Sequence, residues 1–144
     1  MSYVKIWLHC VWGTKNRLPL LRKEIRMDVL DHIKANAINK GIYLDTLNGH
    51  SDHIHGLISL NADQALSHIV QLMKGESSFW INRNKLTVGK FEWAVDYFAV
   101  SLSESHLSRV RNYIRTQEEH HRKMTWEEEY TKFLKEYGFI QVQG

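Results

Sequence analysis

The chain has 144 residues, 43% of them hydrophobic and 24% charged, with one cysteine and a formal net charge of +3. Those values fit one domain, 1–144, that buries its own core. They exclude a disulfide framework and leave Cys10 as an inert thiol in a reducing cytoplasm. The chain opens with no charged segment leading into an apolar stretch, and no apolar run nears the ~20 residues of a membrane span. A soluble, untargeted, cytoplasmic protein is therefore expected, with no membrane partner.

Tyr3 to Trp12 alternates Tyr3, Lys5, Trp7, His9 and Val11 against Val4, Ile6, Leu8, Cys10 and Trp12, the pattern of a central strand buried on both faces. Pro19 follows a polar loop and precedes a helix over Leu20 to Lys40, marked by Ile25, Val29, Ile33 and Ala37 and stopped at Gly41. Ile42 to Leu47 reads as a second strand, Asn48-Gly49 as a hairpin turn, and Asp52 to Leu60 as a third strand. Asn61 is placed to cap a helix over Ala62 to Arg83, whose apolar face is Leu66, Ile69, Val70, Met73 and Phe79. Phe91 to Leu102 reads as the last strand.

Residues 104 to 123 then form a helix with a Leu107, Val110, Ile114 stripe. A short helix over about 125–137 carries a capping-box pattern from Thr125 to Glu128 and packs back on the domain. Strand, helix, two hairpin strands, helix and strand make an α+β fold. Its antiparallel sheet is ferredoxin-like or RRM-like, with helices on one face and a C-terminal helix appended.

Within the third strand, His53-Ile54-His55 puts two imidazoles on one face while Ile54, Ile58 and Leu60 point into the core, which makes a metal-ready pair. A pair of polar residues on the wet side of a strand is the plainer alternative. On the helix of 104–123, Tyr113, Gln117 and His120 fall within about 60° of one another. A phenol, an amide and an imidazole thus share one line, or a surface tyrosine stands among polar neighbours. Basic residues gather at Lys15, Arg17, Arg22, Lys23 and Arg26 and again at Arg109, Arg111, Arg115, Arg122 and Lys123; acidic ones gather at Glu118-Glu119 and Glu127-Glu128-Glu129. Each cluster alone reads as a solvated helix face, while two basic clusters near the candidate segments favour a phosphate backbone.

His-hydrophobic-His on a strand followed by Tyr-x-x-x-Gln on a helix resembles the single-tyrosine HUH endonucleases, in particular the small transposases of insertion sequences and the REP-associated tyrosine transposases. The resemblance spans almost the whole chain, through Thr14-Lys15-Asn16-Arg17, Met73-Lys74-Gly75-Glu76-Ser77-Ser78 and Trp93 to Ser101. Asp96 stands where such proteins frequently have glycine.

The resemblance implies an enzyme that cleaves and rejoins single-stranded DNA at hairpin-bearing ends, with Tyr113 as nucleophile and a 5′-phosphotyrosine intermediate. It implies a divalent metal, Mg²⁺ or Mn²⁺, held by His53, His55 and Gln117, since a tyrosine hydroxyl is a poor nucleophile at neutral pH and needs charge stabilisation at the phosphate. His120, Asp52 and His50 are candidates to hydrogen-bond or supplement the ligating imidazoles. Lys15, Arg17, Lys74, Arg111 and Arg115 are candidate DNA contacts. A homodimer with active sites shared between subunits is also implied. The competing reading is a non-catalytic hairpin-DNA-binding module or a domesticated repeat-processing relative. A third alternating histidine is missing, because Leu57 stands there, which disfavours a histidine-triad hydrolase.

Overall fold

Strand β1, Trp7–Thr14, is buried on both of its faces, and the two faces look into different cores. A computed structural model describes residues 1–117 and, beyond them, Thr125, Glu128, Glu129, Thr131 and Lys132. Leu8, Cys10 and Trp12 of β1 join the main core together with Val29, Leu30, Ile33 and Ala37 of helix α1, Lys23–Asn39. Ile69, Met73 and Ile81 of helix α2, Leu66–Arg83, complete it. Trp7 faces the other way, into a second cluster with Leu57, Leu107 and Ile114. Period-two alternation on one strand thus feeds both cores.

The sheet holds β2, Tyr43–Gly49, β3, His53–Ser59, β1 and β4, Trp93–Leu102, in the order β2-β3-β1-β4, with every pairing antiparallel. This is the expected α+β arrangement. Helices α1 and α2 cover one face, and helix α3, Leu107–Arg115, lies on the opposite face against β2 and β3. Each fully buried Leu or Ile contributes about 1.5–3 kcal/mol, so the larger cluster dominates stability. Among the described residues no helix is long and apolar enough to cross a membrane.

Several boundaries differ from the sequence reading. The first strand starts at Trp7, not Tyr3, because Tyr3 and Val4 are exposed and have no sheet partner in the register. Asn48-Gly49 is not the hairpin turn: β2 continues through Gly49, and the chain reverses at His50 to Asp52, where the His50 N–H donates to the His53 carbonyl at 2.9 Å. Glycine is required at 49 by close approach, since a Cβ there would lie 2.4 Å from the His53 carbonyl oxygen.

Helix α2 begins at Leu66, not Ala62, because Asn61 to Gln64 makes its own turn: the Asn61 N–H donates to Gln64 Oε1 and the Gln64 side chain donates to the Gly41 carbonyl. Phe79, expected in the apolar face, is 62% exposed, and Ser77 takes the inward position. Phe91 precedes the last strand and is held in the core by paired hydrogen bonds between its backbone and the Asn82 amide. Thr125 behaves as the expected cap, its hydroxyl accepting from the Glu128 N–H at 3.2 Å. Most of the helix predicted over 125–137 lies outside the described residues.

Candidate active site

On β3 the alternation that sends Ile54 and Ile58 to the main core sends His53, His55 and Leu57 to the face covered by α3. Both imidazoles are fully buried. Neither lies on a wet surface, so the plainer alternative for this pair is removed. Asp52 accepts from His53 Nδ1 at 2.7 Å, which leaves His53 Nε2 facing the site. Of the other residues expected to support the ligands, His50 sits in the turn with Nδ1 3.3 Å from the Ser51 hydroxyl, and His120 lies outside the described residues.

Helix α3 brings Tyr113 over the histidines. Its ring centroid is 5.6 Å from that of His55, edge to face at 77°. Three ties hold the helix there: the apolar contacts of Leu107 and Ile114, a hydrogen-bonded pair from Arg111 to Asp45, and the Asn48 amide. Asn48 Nδ2 donates to the Ile114 carbonyl at 3.0 Å and the Arg115 carbonyl at 3.2 Å, satisfying acceptors that a helix end leaves open. Gln117, just past the end of α3, is fully buried, and its Nε2 donates to the Tyr113 carbonyl at 3.2 Å. The Gln117 Oε1 has no hydrogen-bond partner among the described residues.

Two residues of this site were not found in the sequence. Glu129, buried, accepts the Tyr113 hydroxyl on Oε1, and that oxygen is 3.2 Å from His55 Nε2 while Oε2 is 3.7 Å from His53 Nε2. Its place in the run Glu127-Glu128-Glu129 reads as a solvated face; only the cap at Thr125 hints that one member turns inward. His9 is the second. Its Nε2 lies 2.9 Å from His55 Nδ1, and burial, followed by the neighbouring His55, pushes its pKa down to about 3. The available signal was register: pairing Val11 with His55 places His9 diagonally beside His55 on the same face.

His53, His55 and Glu129 offer one ligand atom each, all within 4.8 Å of one another. Two imidazoles and a buried carboxylate gathered this closely are a donor set that can hold a divalent cation. Cys10 plays no part. It points into the opposite core, and burial pushes its thiol up to about 12.

The basic residues fall in separate places. Lys15 pairs with Glu92 at 2.9 Å, and Lys74 donates to the Ala94 and Val95 carbonyls; both line an open groove of about 640 Å³ between α2 and β4, on the side away from the histidines. Burial lowers the Lys74 pKa. Arg17 is exposed in the short turn after β1, and Arg115 is exposed at the end of α3.

Arg111 is engaged by Asp45, which a break in the β2–β3 register between Leu44 and Thr46 turns toward α3. The Arg111 hydrogen bonds hold the Asp45 carboxyl below its ordinary 3.8, so the stabilisation is fully present above 3.8 and is lost as the pH falls through the folded-state value. Asp45→Asn is expected to lower the urea midpoint modestly at pH 7. That gap should close as the pH is taken below 3.8, and a gap independent of pH would show that the charge is not what matters.

The fold finds counterparts among known proteins. The family model for IS200-like transposases matches residues 2–117. The ISDra2 transposase TnpA of Deinococcus radiodurans is 27% identical over 115 residues, covering 76% of this chain and 81% of the relative. Among solved structures, a candidate transposase from Deinococcus radiodurans R1 superposes with a TM-score of 0.64 at 25% identity, over 81% of this chain and 95% of that one. A REP-associated tyrosine transposase bound to a REP hairpin shares the fold with a TM-score of 0.58 at 16% identity, over 81% of this chain and 68% of that one. With most of its length matched by the family model and the histidine pair packed beneath the tyrosine helix, this chain belongs to the IS200-like transposase family.

Proposed function

We propose that this transposase cleaves and rejoins single-stranded DNA at hairpin-bearing ends, with Tyr113 as the nucleophile. The observation that carries the reading is the convergence of the part-buried Tyr113 hydroxyl on the buried Nε2 atoms of His53 and His55 and the Glu129 carboxylate. A tyrosine placed only for packing needs no buried carboxylate on its hydroxyl and no imidazole pair beside it. That density of chemistry favours catalysis over a hairpin-binding module. The hairpin is proposed from the fold likeness to the REP-bound relative.

In the reaction, the Tyr113 oxygen attacks the scissile phosphorus as the bond to the 3′-oxygen breaks, giving a 5′-phosphotyrosine; the departing 3′-oxygen takes a proton from solvent and is left as a free 3′-hydroxyl on the other flank. Glu129 Oε1, which already accepts the Tyr113 hydroxyl, receives the phenolic proton. Attack by the 3′-hydroxyl on the phosphotyrosine reverses the step and joins strands with no external energy source. His53, His55, Glu129 and Gln117 would hold Mg²⁺ or Mn²⁺, which when bound supplies Lewis-acid charge at the phosphate. Burial of His53, His55 and Glu129 strengthens the electrostatic contacts among them. Lys15, Arg17, Lys74 and Arg115 are proposed contacts to the DNA backbone. Arg111 joins them only by exchanging Asp45 for a phosphate.

The test is direct. Labelled hairpin DNA with a single-stranded flank, incubated with protein and Mn²⁺, is expected to give an SDS-stable adduct whose tryptic peptide spans 112–115. EDTA should suppress it. An adduct that forms equally well in EDTA would refute the role of the cation, and one mapping to another tyrosine would move the nucleophile.

We also propose that the working unit is a homodimer with active sites shared between subunits. Within this chain Tyr113 stands over its own His55, and a shared site exchanges α3 between subunits in the same seat. In support, β4 lies at the edge of the sheet, where its outer backbone groups can pair with a second copy. Co-expressed Tyr113→Phe and His55→Ala chains are each expected to be inactive alone and to recover partial cleavage together, with the adduct on the His55→Ala chain. Heterodimers that form without recovering cleavage would show that each chain builds its own site.

A further inference from the structure

The buried imidazole of His9 takes no part in the reaction as described, yet it touches both halves of the site. From β1 its Nε2 lies 2.9 Å from His55 Nδ1, the two rings stack at 26° with centroids 5.1 Å apart, and its edge meets the Tyr113 ring at 73° and 6.1 Å. Resting on the cation site read above, we propose that His9 is a positioning residue that fixes the tautomer and ring orientation of His55, so that Nε2 of His55 is presented bare to a divalent cation.

The argument is one of donors and acceptors. A nitrogen 2.9 Å from another nitrogen requires one to carry the proton and the other to accept it. An imidazole that ligates through Nε2 must be bare there, so its proton sits on Nδ1. His55 Nδ1 then donates to His9 Nε2, and the remaining His9 proton is on its own Nδ1. The opposite tautomer, with His9 Nε2 donating, places the His55 proton on Nε2, pointing at Glu129 and occupying the lone pair a cation needs.

His53 is held in the same way from its other side, since its Nδ1 is taken by Asp52 at 2.7 Å. The two ligands are therefore pinned at equivalent atoms by unlike partners. Asp52 is a loop carboxylate beside its own ligand in sequence, whereas His9 reaches across from the neighbouring strand. Register fixes that reach, because pairing Val11 with His55 sets His9 one diagonal step away. The same ring stands against Tyr113, so displacing it loosens the seat of the nucleophile as well.

The experiment uses the full chain without DNA. Mn²⁺ affinity is measured by calorimetry for wild type, His9→Leu and His9→Gln, and the protonation of each His55 ring nitrogen is read by NMR on metal-free wild type. Glutamine keeps an acceptor near the place of Nε2, and leucine keeps bulk without one. His9→Leu should bind Mn²⁺ roughly 10–100-fold more weakly, with His9→Gln recovering most of the loss, and wild-type His55 should carry its proton on Nδ1.

Equal Mn²⁺ affinity in wild type and His9→Leu overturns the proposal. So does a wild-type His55 protonated on Nε2, a readout that needs no variant to fold. Wild-type protein that binds no Mn²⁺ sinks the reading of the site itself, and that failure appears before any substitution is made.

Discussion

Tyr113→Phe is expected to abolish the covalent DNA adduct, lowering cleavage by at least about three orders of magnitude, the scale on which loss of a nucleophile acts. Only the phenolic oxygen is removed. The ring keeps its edge contacts with His55 and His9 and its place beside Leu107 and Ile114. Loss of the hydrogen bond to Glu129 should destabilise the fold by about 1 kcal/mol, so hairpin affinity by gel shift and the far-UV spectrum should match wild type. An adduct of wild-type yield from the Phe protein would remove Tyr113 from the mechanism. Lost hairpin binding would instead assign the hydroxyl to recognition.

His53→Ala and His55→Ala are each expected to remove measurable Mn²⁺ binding and with it cleavage. The drop should exceed the roughly 10–100-fold typical of losing a ligand's supporting partner. Both rings are fully buried on the α3 face, opposite the core of Ile54 and Ile58, so the main core stays intact. Glu129→Gln should act more mildly on folding, since the amide still accepts from Tyr113, but it removes the negative charge that faces the Nε2 atoms of both imidazoles. Calorimetric titrations giving one affinity for wild type and all three variants would end the assignment of these residues as ligands.

What could be read from the sequence was whatever repeats locally. The histidine pair, the alternation of β1 and the stripe of α3 are periodic, and their faces follow from period alone. The turn misread at Asn48-Gly49 shows the limit. Both residues favour a turn intrinsically, yet Gly49 is there because another backbone passes against it, and Asn48 because its amide caps a helix end more than sixty residues onward. Glu129 and His9 were hidden for the same reason. Each joins the site through contacts between segments distant in sequence, and neither belongs to a spaced motif. Phe79 failed in the opposite sense, an apolar residue on a helix turned outward while the hydroxyl of Ser77 was buried and satisfied by Met73 and Trp93.

The division of the apolar residues into two clusters has a consequence for how the molecule opens. The sheet with α1 and α2 keeps its entire main cluster if α3 departs, whereas α3 is retained by the burial of Leu107 and Ile114 against Trp7 and Leu57 and by its polar ties. At about 1.5–3 kcal/mol for each buried aliphatic side chain, lifting α3 costs a few kcal/mol, well short of global unfolding. Amide protons of α3 should therefore exchange with solvent faster than those of β1 and β3, through a partial opening that leaves the histidines seated. Tyr113 and the two imidazoles thus belong to units of unequal stability, and the tyrosine can leave its seat while the rest of the site remains built.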